Sequence, residues 1–161
     1  LAAMLPLVKK YNAAFIAMPM GSAGALPMTP EARLAETGVI LEAAEGIGIP
    51  REDIVLDGIC LAVAAGQGTF EVTLQTLAAA KRTFGLTTTL GIGNAGYGMP
   101  DQTVIDLAYL LGAAPWGLDS ALVDPNTRGL VEMVRAMDFL LGRDEVGKRY
   151  IQLYRRKKSG K

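Results

Sequence analysis

The sequence predicts a parallel α/β fold in which four strand-helix units follow one another and a further helix closes the chain. Four short runs rich in apolar or β-branched residues alternate with longer stretches of helical periodicity. Glycine, proline or a capping residue marks most of the boundaries between them. Regular alternation of this kind is typical of parallel strands joined by right-handed crossovers.

The four predicted strands are short and carry few charged residues, as expected for strands that are buried on both faces. The third run is rich in threonine, which favours strand over helix. The strands are predicted at residues 13–18, 54–57, 87–92 and 118–123.

The helices are predicted from their capping residues. Thr29 is the expected N-cap of the first full helix, with Pro30 at its first position and Gly46 and Gly48 at its end. Later helices are expected to begin near Thr69 and stop at Gly85, to be capped by Asp101, to run from the N-cap Asn126 to Leu141, and to extend from Asp144 to Arg155.

Two architectures fit this alternation: an open doubly wound sheet, or the second half of an eight-stranded barrel. The similar lengths of the units favour the barrel, which usually takes about 250 residues. The chain also opens directly into apolar residues after Leu1, as though a helix were entered part-way. We therefore predict the C-terminal half of a (β/α)8 TIM barrel over residues 1–155, followed by a polar tail at 156–161.

The amino-acid composition argues against several classes of function. Sixteen basic residues balance sixteen acidic ones, so we expect neither nucleic acid nor a membrane as partner. The single cysteine, Cys60, cannot form an internal disulfide, and we expect it to pack as a small apolar side chain in a cytoplasmic protein. The absence of histidine argues against imidazole catalysis and a transition-metal site.

Candidate site residues lie in the loops after the strands, where parallel α/β folds bind ligands. These are Asp57, Asn94, Asp124 and the loop 18–28. Each has a simpler interpretation, because an aspartate at a strand end is often a turn residue and the glycines around Asn94 could form a plain flexible loop. The glycines at 91–96 have the wrong spacing for a dinucleotide fingerprint, and no P-loop lysine is present.

Three segments in order carry a family resemblance: Leu56-Asp57, the run Leu90-Gly91-Ile92-Gly93-Asn94, and residues 117–124. Together they resemble the pterin-binding barrel family, and most closely its methyltetrahydrofolate:corrinoid methyltransferases, which include the folate domain of cobalamin-dependent methionine synthase. The resemblance covers nearly the whole chain and includes Arg33-Leu34-Ala35. Dihydropteroate synthase, another branch, typically has Ser-Arg-Lys and Arg-x-His motifs that this sequence lacks.

The resemblance implies a methyltransferase that moves the methyl group of methyltetrahydrofolate to a Co(I) corrinoid held by a partner protein or domain. It implies that Asp57 binds the amino-pyrimidine edge of the pterin, that Asn94 lies beside the methylated nitrogen, and that Gly91 and Gly93 line the substrate site. Where the family commonly has a basic residue, this chain has Gln102.

Alternatives remain open: a non-catalytic pterin-binding or structural fragment, a synthase-like enzyme, or an unrelated α/β enzyme for a small phosphorylated molecule. With four strands, the inward side chains of Phe15, Val55, Leu90 and Leu122 would lack their opposite layer. We therefore expect the chain alone to form a homo-oligomer or to be marginally folded.

Overall fold

The computed structural model of the chain describes residues 1–21 and 24–159. Four β-strands alternate with α-helices, which confirms the predicted alternation and the approximate position of every strand. The strands are β1 (Phe15–Ala17), β2 (Ile54–Asp57), β3 (Thr87–Gly91) and β4 (Ser120–Leu122), and the helices are α1 (Leu5–Tyr11), α2 (Pro30–Gly46), α3 (Thr69–Phe84), α4 (Gln102–Ala113), α5 (Leu130–Leu140) and α6 (Lys148–Lys158).

The strands form one parallel sheet in the order β1-β2-β3-β4. β2, β3 and β4 each pair with the strand that precedes them, so the winding direction does not reverse within the described residues. Right-handed crossovers that all proceed in one direction place their helices on the same face of a sheet. The other face receives no helix from these connections.

Several helix ends follow the predicted chemistry. The Thr29 side chain caps α2 by accepting a hydrogen bond from the Ala32 N–H at 3.2 Å. Gly85 ends α3 in the left-handed conformation, with φ of 68°, which glycine adopts without the steric penalty of a Cβ atom.

Two predicted caps are wrong. Asp101 occupies the N-cap position of α4, but it has a left-handed backbone and its side chain caps no N–H group. Asn126 is not the cap of α5, because that helix begins at Leu130 with Gly129 at the N-cap position. Instead, the Asp124 carboxylate accepts a hydrogen bond from the Asn126 N–H and holds a local turn.

Three predicted boundaries also differ. β4 covers only the middle of the predicted run 118–123, and β3 ends at Gly91 because residues 92–94 form a 3-10 turn. Helix α6 starts four residues after Asp144 and continues to Lys158, into the predicted tail 156–161, of which residues 160 and 161 lie outside the described part.

The two faces of the sheet differ in their surroundings. Residues paired in register point to the same side, and successive residues alternate. One face, which we call the covered face, packs Ala17, Leu56 and Leu90 against the helices, and all three are buried. The opposite face, which we call the open face, carries Ile16, Val55, Asp57, Thr89 and Leu122; Ile16 is 48% exposed and Leu122 57%.

This arrangement corrects part of the expectation about inward side chains. Val55 and Leu122 do lie on the open face, whereas Phe15 and Leu90 lie on the covered face and pack into the helix-sheet core. The error has a simple cause, because short continuous apolar runs do not reveal which alternate residues face inward.

The fourth unit is packed more loosely than the central ones. Among its described residues, α5 buries only Leu130, and β4 has exposed residues at both ends. A cavity of about 400 Å³ lies among α4, β4 and α5, with Leu110, Ala121 and Val134 in its lining. No helix within residues 1–21 and 24–159 combines the length and apolarity required to span a bilayer.

Candidate functional site

Asp57 is the last residue of β2 and projects from the open face at the carboxyl edge of the sheet. It is only 6% exposed, and its Oδ1 atom accepts a hydrogen bond from the Ile59 N–H at 2.8 Å. Burial raises the pKa of this carboxyl, while the Ile59 hydrogen bond and the charge of Arg33 act in the opposite direction. No described residue donates a hydrogen bond to Oδ2, so this oxygen keeps its full acceptor capacity.

Ile59 has an unusual backbone. Its φ of 62° lies in the left-handed region, which is sterically unfavourable for a β-branched residue. Such strain persists only where neighbouring interactions enforce it, and it concentrates at functional sites. Here the conformation allows the Ile59 N–H to reach back to Asp57.

Arg33 of α2 lies beneath this loop and is completely buried. Its guanidinium donates hydrogen bonds to the carbonyl oxygens of Pro27 (3.0 Å), Gly58 (2.9 Å) and Ile59 (3.2 Å). Burial lowers the pKa of Arg33, opposed by Tyr109 and Asp57. One buried cation therefore ties the loop before α2 to the loop after β2.

A small polar layer surrounds this guanidinium. The Thr73 hydroxyl lies 2.9 Å from the Ile59 carbonyl oxygen and 3.4 Å from an Arg33 nitrogen. The hydroxyl of Tyr109 and the Nη2 atom of Arg33 are buried and have no hydrogen-bond partner among the described residues. Burial raises the pKa of the Tyr109 hydroxyl and raises the pKa of the Cys60 thiol to about 11. Cys60 packs in the hydrophobic core, as predicted.

Asn94 lies in the loop that follows β3, the strand next to β2. It ends the 3-10 turn 92–94, and its side chain is exposed and makes no hydrogen bond within residues 1–21 and 24–159. Because β2 and β3 are parallel neighbours, Asp57 and Asn94 follow adjacent strands at the same edge of the sheet. The Asn94 amide is therefore free to donate to a ligand.

Two residues of α4 hold the Asn94 loop in place. The Gln102 side-chain amide donates to the Gly93 carbonyl oxygen at 2.7 Å, and an Asp106 carboxylate oxygen accepts from the Gly96 N–H at 2.8 Å. A Cβ atom at Gly96 would lie 2.7 Å from the Gln102 carbonyl oxygen, so the loop could not approach α4 with any other residue there. Gln102 thus supports the loop that carries Asn94.

The glycines of the site fall into two groups. A Cβ atom at Gly58 would lie 2.7 Å from a Leu77 methyl carbon, so any side chain at this position would force Leu77 to shift. At Gly91 the nearest atom would be the Asn94 Nδ2 at 3.5 Å, an ordinary contact, and at Gly93 nothing lies within 4 Å. Neither Gly91 nor Gly93 has a positive φ. Protein packing therefore does not require glycine at these two positions.

The other predicted site residues, Asp124 and the loop 18–28, are less informative. Asp124 is engaged by Asn126 and lines a cavity of about 270 Å³ beside Gly93, Gln102 and Asp106. The loop 18–28 contains residues 22 and 23, which lie outside the described residues. Among the described residues, no cluster of three or more histidine, cysteine, aspartate or glutamate side chains could hold a metal ion.

The sequence interpretation gave Arg33 no structural role, although a signal was available. Arg33 lies on the same stripe of α2 as Thr37, Leu41 and Ala44, at spacings of four, eight and eleven residues, and all are buried. A charged residue on the buried stripe of a helix must find partners in the interior. Thr73 and Tyr109, on α3 and α4, form part of the same polar layer.

Comparison with known proteins agrees with the resemblance noted in the sequence. No family model matches the chain. The chain is 25% identical over 146 residues to a methylcorrinoid:tetrahydrofolate methyltransferase of Eubacterium limosum. The match covers 90% of the chain and 54% of the relative, so the chain spans about half the length of that protein. The chain is thus a distant homologue of methylcorrinoid:tetrahydrofolate methyltransferase.

Proposed function

We propose that the chain forms the C-terminal half of a (β/α)8 barrel that transfers a methyl group between methyltetrahydrofolate and a Co(I) corrinoid held by a partner protein or domain. The observation that carries this proposal is the homology to a methyltransferase acting on these two carriers, combined with two free polar groups at the carboxyl ends of adjacent strands, the Asp57 carboxylate oxygen Oδ2 and the Asn94 amide.

The fold supports the half-barrel. The strands are consecutive and parallel, the crossover helices within the described residues lie on the covered face, and the match spans 54% of the relative. Four further strands would close the sheet, cover Ile16 and Leu122, and give β1 and β4 their second neighbours. We call the chain together with the polypeptide that supplies those strands the assembled enzyme.

Asp57 would bind the pterin. The amino-pyrimidine edge of a pterin offers a ring N–H and an exocyclic amine side by side, and a carboxylate can accept both hydrogen bonds. A raised pKa means that the ionised carboxylate is poorly solvated in its pocket. Two ligand donors would compensate for that lost solvation, so the ionised form of Asp57 is the one that binds.

Asn94 would act on the reacting nitrogen. Co(I) attacks the methyl carbon and donates two electrons to the new cobalt-carbon bond, while nitrogen 5 of the pterin keeps the electron pair of the broken bond and takes up a proton. A neutral tertiary amine is a poor leaving group, so a hydrogen bond that strengthens as the bond breaks lowers the barrier. An amide can provide it without titrating.

The name of the relative describes transfer from methylcorrinoid to tetrahydrofolate. The same groups serve both directions, because forward and reverse reactions pass through one transition state. The open positions Gly91 and Gly93 fit this assignment, since a missing Cβ allows a ligand to approach the backbone closely.

The proposed reaction requires a corrinoid carrier, and the proposed barrel requires four further strands. The corrinoid must reach the carboxyl edge of the sheet, where Asn94 lies, and Co(I) requires a reducing compartment such as the cytoplasm. The missing strands could be supplied by another polypeptide segment or by a second copy of the chain, and in the latter case the assembled enzyme would be a homo-oligomer.

The proposal is tested in the assembled enzyme by two substitutions with different expected effects. Asn94→Ala should lower the methyl-transfer rate by about 10- to 1000-fold with a smaller effect on folate affinity. Asp57→Asn should instead weaken methyltetrahydrofolate binding by about 1.5 to 3 kcal/mol. Single-turnover kinetics and calorimetric titration separate the two effects.

Asn126→Ala is the matched control, because this exposed asparagine lies in the turn after β4, and it should leave both quantities unchanged. Binding of methyltetrahydrofolate without transfer to a reduced corrinoid would favour the non-catalytic pterin-binding alternative. Absence of folate binding in the unaltered assembled enzyme would refute the proposal.

A further inference from the structure

We infer that Arg33 is a positioning residue of the ligand site, which sets the backbone conformation of residues 57–59 and through it the direction of the Asp57 carboxylate. The geometry of this arrangement is independent of the ligand. The identification of the ligand as a pterin rests on the proposed function.

Arg33 is anchored between α2 and two loops. Its side chain extends from the first turn of α2, a helix of 17 residues that buries one face against the sheet and α3. The guanidinium is wholly buried and points its donors at carbonyl oxygens from two loops. A planar group with donors in fixed directions specifies the positions of its acceptors more narrowly than an ammonium group does.

The contacts of Arg33 enforce the positive φ of Ile59. A free chain would avoid a positive φ at a β-branched residue. Two carbonyl groups in succession, those of Gly58 and Ile59, face the guanidinium, and this arrangement requires the backbone to turn between them. Thr73 is the only other described side chain that donates to either oxygen, and it reaches only Ile59. Without Arg33 the Gly58 oxygen would be buried without a donor, which is unfavourable.

The conformation of Ile59 in turn orients the Asp57 carboxylate. With the carbonyls fixed on one side, the Ile59 N–H faces the opposite way and donates to Oδ1 of Asp57 at 2.8 Å. Oδ1 keeps a second acceptor site beside the Ile59 N–H, and Oδ2 has no donor among the described residues, so both oxygens can still accept from a ligand. A ligand that presents two parallel donors needs the carboxylate plane in one orientation, and Arg33 provides that orientation through the loop.

The experiment compares three substitutions in the assembled enzyme with methyltetrahydrofolate as the probe. Arg33→Met removes all donors, and Arg33→Lys keeps the charge but cannot span both carbonyls. Arg82→Met is the matched control, because Arg82 is exposed on α3. We expect binding to weaken about 10- to 100-fold for Arg33→Met, the range for losing hydrogen bonds from a charged group, less for Arg33→Lys, and not at all for the control.

Two further measurements separate positioning from general stabilisation. In NMR spectra without ligand, Arg33→Met should weaken the strong contact between the amide and Cα protons of Ile59 that a positive φ produces, and it should raise the pKa of Asp57 further. Adding Ile59→Gly to Arg33→Met should restore part of the affinity, because glycine adopts a positive φ without steric cost. A purely stabilising role for Arg33 predicts no such rescue.

The outcomes are distinct. Unchanged affinity in Arg33→Met and Arg33→Lys, with an unchanged Ile59 conformation, would overturn the inference. If Arg33→Met does not fold, Arg33→Lys decides by the same criteria. If the unaltered enzyme fails to bind methyltetrahydrofolate, the proposed function fails, while the NMR measurements on Ile59 and Asp57 still test the role of Arg33.

Discussion

The two faces of the sheet divide the tasks of the molecule. The covered face is built from Leu56, Thr88 and Leu90, each with 0% exposure, and it supports the hydrophobic core between strands and helices. The open face mixes exposed apolar side chains with the polar Asp57 and Thr89, and it leads to the candidate ligand site. Under the proposed function, stability and ligand chemistry belong to opposite sides of the same four strands.

The difference arises from topology rather than from hydrophobicity. Leu90 and Leu122 are both strand leucines on neighbouring strands, yet their exposures are 0% and 57%. They differ because their side chains point to opposite faces, and only one face receives helices from the crossovers. An apolar side chain on the open face is stabilised only after another layer is added.

The largest predicted effect tests this division of tasks directly. Leu77→Ala removes a fully buried side chain of α3 that packs in the same core cluster as Leu90 of the covered face, and it should destabilise the chain by about 3 to 5 kcal/mol. Leu122→Ala, the matched change on the open face, should have less than about a fifth of that effect. Denaturant unfolding monitored by circular dichroism measures both.

Leu122→Ala should nevertheless weaken association, which light scattering after size-exclusion chromatography detects, because it removes apolar surface that we expect to be covered in the assembled enzyme. Equal destabilisation by the two substitutions would show that Leu122 is buried in the chain by itself, contrary to the arrangement of faces.

An intermediate effect is expected at the glycines. Gly58→Ala places a methyl group 2.7 Å from a Leu77 carbon and should cost about 1 to 3 kcal/mol through overpacking. Gly93→Ala projects into open space, so it should leave the free energy of unfolding nearly unchanged and lower the affinity for methyltetrahydrofolate. Thermal melts and binding isotherms of the two variants, taken together, compare the crowded and empty sides of the site. Unimpaired folate binding in Gly93→Ala would remove this position from the substrate site.

The smallest predicted effect concerns the pH dependence of stability. Burial raises the pKa of Asp57 in the folded chain, so folding penalises its ionised form relative to the unfolded chain. Its contribution to stability is fully present below the unfolded pKa and is lost as pH rises through the folded pKa. Asp57→Asn should therefore increase the unfolding free energy slightly at neutral pH, and the gain should shrink as pH falls. Urea titrations at several pH values provide the test, and a gain that grew in acid would contradict the direction given for this pKa.

Sequence reasoning predicted the alternation well because each signal was local. Thr29 and Pro30 specify the start of α2, and Gly85 specifies the end of α3, through chemistry that involves only a few neighbouring residues. The caps predicted at Asp101 and Asn126 were wrong for the same reason, because they also rested on local signals. Their side chains are suitable for capping, but the backbone at Asp101 is left-handed and the turn at Asn126 is completed by Asp124.

The site could be predicted only in part. Asp57 and Asn94 were found because both follow strands, and strand ends are readable in sequence. Arg33 makes its contacts with residues up to 40 positions away along the chain, so only the packing of α2 over the loop after β2 reveals its partners. The faces of the strands could not be assigned either, because their runs are apolar on both sides.

The consecutive order of the strands also bears on how the chain is made. Every strand pairs with the one synthesised just before it, so each strand-helix unit can dock on its predecessor as soon as it emerges from the ribosome. Within the described sheet, no strand pairs with one further along the chain than its immediate neighbour, so the units can assemble in the order of synthesis. β4 is consequently the last strand of this sheet to be synthesised, and it can dock on a sheet already formed by β1, β2 and β3.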